Sequence, residues 1–184
     1  LRLLRSARRT APARQQTLRA TLDWSCSLLN EQELAALRRL SVFAGPFDME
    51  LATRVVSEGA DDGGAVDAVC SLADKSLVRV EQLEPARFRL LESTRLLARE
   101  MLADAGEGES ALRRHAEAMA SIGPRIAEAF FLSGSDTDVQ DRFAAWYADL
   151  ERALDHACAV ADADSAAAIL VGLRSMDQLR GEMQ

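Results

Sequence analysis

The hydrophobic period of the chain changes from helical to extended at Leu77, and this change limits the folds that are available. Up to that residue, apolar side chains recur every three or four positions. Beyond it they alternate with charged ones until residue 90, with a turn near residues 84–86. Alternation with a period of two predicts a β-hairpin that has one apolar and one charged face. The apolar positions are Val78, Val80, Phe88 and Leu90.

Amphipathic helices surround this hairpin. The first has its helical period from Thr17, and the second begins at Asn30 and Glu33, which have the spacing of a capping box. Asp48 is placed to cap the third, and a fourth ends just before the hairpin. A fifth helix follows the hairpin. Three or four helices, a hairpin and a further helix are the layout of a winged helix, so we predict a winged-helix domain over residues 17–106.

The remaining residues, 107–184, have helical periodicity throughout. Antiparallel helices with short loops predict the start of a TPR-like helical array. The pair Gly123-Pro124 should kink or interrupt the first of these helices. The predicted fold class is therefore mainly α: a winged-helix domain with a two-stranded wing, followed by an α-helical, TPR-like region.

Charge and hydropathy argue against several classes of partner. The chain has 184 residues with 22 basic and 29 acidic side chains, a net charge of -7, which disfavours a general binder of nucleic acid or anionic membranes. No apolar run is long enough to cross a bilayer, and nothing has the pattern of a signal peptide. We expect a cytoplasmic protein with no membrane partner. Because the chain starts at Leu1 and ends without a helix-stop signal, we also expect a fragment of a longer protein.

The sequence offers no catalytic or cofactor constellation. It has no G-x-x-x-x-G-K-[ST] loop, so we expect neither ATP binding nor enzymatic activity in this chain. His115 and His156 lack the spacing of a metal or general-base pair, and we expect no metal and no cofactor here. Six other expectations concern buried side chains. Inert buried thiols are expected at Cys26, Cys70 and Cys158, and core residues at Trp24, Trp146 and His115.

A winged helix invites a DNA-binding hypothesis, in which the helix before the wing brings basic or amide side chains to the major groove. Here the stretch from Val55 to Asp74 has no basic residue. It carries acidic side chains that a polyanion would repel, namely Glu58, Asp61, Asp62, Asp67 and Asp74. On the hairpin, phosphate could be contacted only by Arg79, Arg87 and Arg89, with Glu81 among them. We therefore predict that this winged helix contacts protein.

Four segments carry a family resemblance: Arg14–Ser25, Arg38–Gly45, Leu72–Val78 and Arg87–Arg95, which read RQQTLRATLDWS, RRLSVFAG, LADKSLV and RFRLLESTR. They resemble a recurring stretch of bacterial STAND-class regulators, which are NB-ARC-like signal-transduction ATPases of the AfsR and LuxR-type kind. The likeness covers roughly residues 1–105. It extends more loosely to 113–115 and 150–154, which look like the approach to the family's TPR-like sensor region.

In such regulators an ATPase core, a helical lid, a winged helix and a repeat array follow one another, often with a DNA-binding domain at one terminus. The resemblance implies that residues 1–16 end the lid and that ATP or ADP, and DNA, bind outside this chain. In NB-ARC proteins the helix after the wing begins with Met-His-Asp, whose histidine senses the nucleotide phosphate. Leu90, Leu91 and Glu92 occupy those places here. Leu91 cannot hydrogen-bond a phosphate, whereas Glu92 or Arg95 could make an interdomain contact.

Two functions follow as hypotheses. In the first, the chain is a relay module that packs on the regulator's own ATPase domain, and signal binding to the repeats shifts it to an open, self-associating form. The relay contact would involve Leu91, Glu92 and Arg95. In the alternative, the module itself binds DNA through the wing and the basic segment from Arg2 to Arg19. The phosphate contacts would then be Arg79, Arg87 and Arg89.

Overall fold

The computed structural model describes residues 13–57, 62–83, 85–133 and 143–182. In these ranges the helices are α1 (Ala13–Ser27), α2 (Glu31–Leu40), α3 (Met49–Val56), α4 (Asp62–Asp74), α5 (Glu92–Asp104), α6 (Gly108–Ser133), α7 (Tyr147–Ala159) and α8 (Ala163–Glu182). The strands are β1 (Val78–Leu83) and β2 (Ala86–Leu90). The structure is mainly helical: a winged-helix domain with a two-stranded hairpin, followed by a helical region.

Both predicted helix caps of the winged helix are confirmed. The backbone N–H of Glu33 donates to Asn30 Oδ1 at 2.9 Å, and the N–H of Asn30 donates back to Glu33 Oε2 at 2.9 Å. At α3, Asp48 Oδ1 accepts from the N–H of Leu51 at 2.8 Å. Each cap satisfies backbone donors that have no partner inside the helix, so the local sequence fixes where α2 and α3 begin.

The wing is anchored to the segment between α2 and α3. β1 and β2 are antiparallel, with Val78 opposite Leu90 and Val80 opposite Phe88, and the register is irregular after Val80. Phe47 and Phe88 exchange two backbone hydrogen bonds of 2.9 and 2.8 Å, so Phe47 forms an isolated antiparallel β-bridge with β2. Val80 is 40% exposed, so the predicted apolar face of the hairpin is only partly buried.

In the helical region, α6 and α8 cross at a pair of glycines. A Cβ at Gly123 would lie 1.9 Å from the carbonyl oxygen of Ala168, and one at Gly172 would lie 2.9 Å from Gly123 Cα. The two backbones can approach this closely only because neither residue has a side chain. Next to this crossing, α6 runs through Pro124 without a break, so of the kink or interruption predicted at Gly123-Pro124 the interruption does not occur. The close packing on α8 supports the helix at that point.

The prediction that Trp24 anchors the core is wrong, because its side chain is 65% exposed. α1 buries Cys26 and half-buries Leu22 against the rest of the domain. Trp24 lies two residues from each, which is about 200° round the helix, and so it faces outward. Trp146, for which the same prediction was made, is buried.

Of the three cysteines, only Cys26 is buried as predicted, and burial raises the pKa of its thiol. Cys70 and Cys158 are exposed, which corrects the expectation that they are buried. In α4 the sequence period predicts a buried stripe of Val66, Val69, Cys70 and Ala73, and the observed stripe lies one residue earlier. The buried residues of α4 are Ala65, Ala68, Val69 and Leu72.

Several predictions fall outside the described ranges. Residues 1–12, most of the predicted lid end and of the basic segment, are outside, and α1 begins at Ala13. The acidic residues Glu58 and Asp61 and the turn residue Glu84 are outside as well. In the part of the chain that the structure describes, no helix is both long and apolar enough to cross a membrane.

The crossing of α6 and α8 gives a stability prediction. Gly123→Ala should lower the free energy of unfolding by roughly 1–3 kcal/mol or more, because the added methyl group forces the two helix backbones apart. Gly108→Ala is the matched control, since a Cβ there meets nothing within 4 Å. Urea denaturation of both variants measures the effect. Equal denaturation midpoints for the two variants would contradict the assignment of Gly123.

Candidate functional site

The exposed face of α4, the helix that precedes the wing, is acidic. Gly63, Asp67, Cys70 and Asp74 are exposed and follow one another at intervals of four, three and four residues, which places them on one side of the helix. A DNA-reading winged helix presents this helix to the major groove. Here the charged side chains of that face are carboxylates, as the sequence predicts.

The buried side chain of Glu33 fixes α4 against α2. Besides its capping contact, its carboxylate accepts from the hydroxyl of Ser71 at 2.5 Å, and Lys75 Nζ lies 2.6 Å from each of its oxygens. The hydrogen bond from Lys75, then those from Ser71 and from the backbone of Asn30, lower the pKa of Glu33 to about 2. Lys75, the only lysine of the sequence, is therefore bound within the domain.

The three wing arginines have different surroundings. The guanidinium of Arg87 lies over the ring of Trp146, 5.7 Å from its centroid, and so joins the wing to the helical region. Arg89 Nε lies 2.8 Å from Glu81 Oε1. Arg79 is opposite Arg89 in the hairpin and is exposed. The wing therefore does not present its three predicted phosphate contacts as one uniform surface.

The predicted relay residues lie together at the start of α5. Leu91 is 46% exposed, and the exposed Glu92 forms an ion pair with Arg95. Arg95 Nη1 donates to the carbonyl oxygens of Phe43, at 3.4 Å, and Ala44, at 3.2 Å. Arg95 therefore connects α5 with the segment between α2 and α3, inside the winged-helix domain.

Asp149 of α7 joins the helical region to that same segment. Its side chain is fully buried; Oδ1 accepts from the N–H of Ala44 at 2.6 Å and Oδ2 from that of Gly45 at 2.9 Å. Oδ1 also lies 3.1 Å from Nε2 of the fully buried His115 on α6. Hydrogen bonds to an ionised carboxylate are among the strongest in proteins. We call Asp149, His115 and the backbone of Ala44 and Gly45 the junction clamp.

Close packing surrounds the junction clamp. A Cβ at Gly45 would lie 2.8 Å from the carbonyl oxygen of Ala145 and 3.3 Å from Asp149 Oδ2, so glycine is needed for α7 to come this near. The ring of His115 meets that of Phe43 edge-on, with centroids 5.1 Å apart. The prediction that His115 is a hydrogen-bonded core histidine is confirmed.

Polar contacts outside the junction clamp also hold the helical region on the winged helix. Glu107, between α5 and α6, accepts from Arg38 Nη2 at 2.5 Å and from Arg39 Nε at 3.0 Å. Arg114 Nε of α6 donates to the carbonyl oxygen of Val55 at 2.9 Å. The start of α6 is therefore bound to both α2 and α3.

Asp149 is not among the residues predicted from the sequence, although the sequence contains a signal for it. The residue lies on the inward stripe of α7 with the buried residues Trp146, Leu150 and Ala153. A carboxylate on an apolar stripe must find donors in the interior, because an unpaired buried charge is strongly unfavourable. His115 is the corresponding polar residue on the apolar stripe of α6. Two such exceptions on neighbouring helices indicate a buried polar pair.

Comparison with known proteins agrees with this architecture. A family model described as a winged helix-turn-helix domain matches residues 29–103, from the end of α1 to the last turn of α5. Residues 29–103 form a winged helix-turn-helix domain. No solved structure matches the chain at a significant level.

Curated relatives of this domain are longer proteins. The chain is 45% identical over 111 residues to "Putative HTH-type transcriptional regulator Rv0890c" of Mycobacterium tuberculosis (strain ATCC 25618 / H37Rv), which covers 59% of this chain and 12% of the relative. It is 40% identical over 117 residues to "Uncharacterized protein Rv0894" of the same strain, covering 62% of this chain and 30% of the relative. The chain is thus homologous over part of its length to a much longer protein whose name is that of an HTH-type transcriptional regulator, and it spans about an eighth of that protein.

The attachment of α4 gives a pH-dependent prediction. Glu33→Gln should lower the free energy of unfolding at pH 7 by roughly 1–3 kcal/mol, because Lys75 and Ser71 lose their ionised acceptor. The native pKa of about 2 lies below the ordinary value of 4.5, so the stabilisation by Glu33 is complete above about pH 4.5 and is lost as the pH falls toward 2. The difference between wild type and variant should therefore shrink over that range.

Urea denaturation at pH 7, 5 and 3.5 measures this difference. Glu31→Gln is the control, since Glu31 is exposed on the same turn of α2. A difference for Glu33→Gln that stays constant from pH 7 to 3.5 would show that the ionised form of Glu33 is not what stabilises the fold.

Proposed function

We propose that this chain is the winged-helix part of a transcriptional regulator, and that it acts as a relay through protein contacts. It would couple the nucleotide state of an ATPase domain to signal sensing by the helical region. The names of the relatives support a role in transcriptional regulation. The junction clamp is the observation that carries the relay role, because it joins two regions through buried polar bonds.

The junction clamp provides a path along which movement passes between the regions. A displacement of α7 moves Asp149, which is bonded to the backbone of Ala44 and Gly45. Arg95 contacts the carbonyl oxygen of Ala44 from α5, the helix that follows the wing. A partly opened clamp leaves the carboxylate and two N–H groups without partners before water reaches them, and this penalty favours discrete docked and released states over gradual movement.

The surfaces of the winged helix also favour protein contacts. The acidic face of α4 repels DNA, and Arg87 is stacked on Trp146 of the helical region. On this proposal the partners are the regulator's own ATPase domain, which holds ATP or ADP, and its sensor domains, with self-association on activation. DNA is bound by another domain of the cytoplasmic regulator.

DNA binding by the module itself is the second candidate. It is favoured by the match to a winged helix-turn-helix model and by relatives described as HTH-type regulators. On this reading the wing and the basic N-terminal segment contact the phosphate backbone, and Arg79, the exposed arginine of β1, makes the first contact.

The relay role predicts that damage to the junction clamp reaches α5. In Asp149→Asn the side chain has one acceptor oxygen, whereas the carboxylate has two. One of the two backbone N–H groups therefore loses its acceptor, and with it a hydrogen bond worth roughly 1–3 kcal/mol. Amide hydrogen exchange should become roughly tenfold faster or more at Ala44 and Gly45, and faster in the first turn of α5. Asp155→Asn, at an exposed position of α7, is the matched control and should leave these rates unchanged. Faster exchange confined to α7 would count against a relay.

Fluorescence anisotropy with duplex DNA at low and at physiological salt separates the two candidates. We expect no binding at micromolar protein in either buffer. Tight binding that is lost with added salt would instead support the DNA-binding candidate. In that event Arg79→Gln should weaken binding, whereas Arg174→Gln on α8 should not.

A further inference from the structure

The wing has a free edge along β1. The hairpin is a two-stranded sheet, and the bridge from Phe47 joins Phe88 of β2, so it covers the opposite edge. Arg79, Val80 and Glu81 are successive residues of β1, and all three are exposed. In the part of the chain that the structure describes, no backbone hydrogen bond joins β1 to an element outside the hairpin. This stretch of β1 is therefore open to a further strand.

The backbone of Val80 points to this free edge. Opposite residues of antiparallel strands alternate between pairs that exchange both backbone hydrogen bonds and pairs that exchange none. Phe88 is opposite Val80, but its N–H and its carbonyl oxygen bond to Phe47, at 2.8 and 2.9 Å. The N–H and carbonyl groups of Val80 therefore point away from β2. An added strand can bond to both groups without breaking any bond of the hairpin.

The charges on either side of Val80 complement their own reversed order. If two copies of β1 run antiparallel with Val80 opposite Val80, Arg79 of each copy lies opposite Glu81 of the other. Both side chains lie on the charged face, although the register is irregular after Val80: Arg79 is opposite Arg89, and Glu81 Oε1 lies 2.8 Å from Arg89 Nε. Arg79 has no ion pair among the described residues of its own chain. Opposite charges in facing positions stabilise a pair of strands.

We infer that β1 is a self-association surface, on which β1 of a second copy of this chain adds in antiparallel order to form a four-stranded sheet. The second copy supplies two backbone hydrogen bonds at Val80 and two ion pairs, and it covers the Val80 side chain, which is 40% exposed in one copy. An extended peptide of another sequence supplies the backbone bonds without both ion pairs, so the charge pattern favours a second copy.

The self-association surface is compatible with the proposed function but does not rest on the junction clamp. It gives a location to the self-association that accompanies the relay role. Hydrogen exchange at Ala44 and Gly45 tests the relay, whereas the oligomeric state tests β1, so the failure of one leaves the other standing. The contact is small for a protein interface, and we therefore expect a weak, reversible dimer.

Charge reversal tests the pairing of β1, with sedimentation velocity as the measurement. Wild type should dimerise at high micromolar protein. Arg79→Glu and Glu81→Arg should each weaken the dimer tenfold or more, because each places like charges in facing positions. An equimolar mixture of these two variants should form a heterodimer, since every facing pair again has opposite charges. Arg174→Glu on α8 makes the same change of charge elsewhere and should leave the dimer unchanged.

Hydrogen exchange of wild type gives a second readout that needs no variant. The amide of Val80, which points to the free edge in one copy, should exchange several-fold more slowly at high than at low protein concentration. The Tm of each variant checks that it is folded. A wild type that stays monomeric at millimolar protein, an Arg79→Glu variant that dimerises like wild type, or a mixture of folded variants that stays monomeric would each overturn the inference.

Discussion

A buried carboxylate places the helical region on the winged helix. A carboxyl group that loses its water needs hydrogen-bond partners within the protein, and Asp149 has two backbone N–H donors and a histidine nitrogen 3.1 Å from Oδ1. These partners belong to the segment after α2 and to α6, so the position of α7 is fixed relative to both. Asp149 can approach the backbone this closely only because Gly45 has no side chain, since a Cβ there would lie 2.8 Å from the carbonyl oxygen of Ala145.

The fold and its surfaces point to different uses. The order of helices and hairpin is that of a domain type known for DNA binding, yet the helix that would enter the groove exposes Asp67 and Asp74. The wing packs Arg87 on an aromatic ring of the helical region. On the proposed relay role, the winged helix keeps its architecture while its surfaces serve contacts inside a larger protein, which is possible because the core and the surface are specified by different residues.

Local signals made most of the fold predictable from the sequence. The caps at Asn30 and Asp48, the hairpin and the order of helices depend on residues that are close along the chain, and all are present. Burial was harder to predict where a helix has apolar residues on more than one side. In α1 and α4 this placed Trp24 and Cys70 inside when both are exposed. The junction clamp joins residues about a hundred positions apart, and the periodicity of one helix does not indicate which donors a distant carboxylate will meet.

Glu33 combines two roles that usually belong to two different side chains. The same side chain starts α2, by bonding the backbone of Asn30, and holds Lys75 and Ser71 of the α4 end of the domain. The carboxylate that caps the start of α2 is therefore also the group that attaches the end of α4 to it. This ties the formation of α2 to that of its neighbour, so the two should gain and lose structure as one cooperative unit, and no stable intermediate should contain either helix alone.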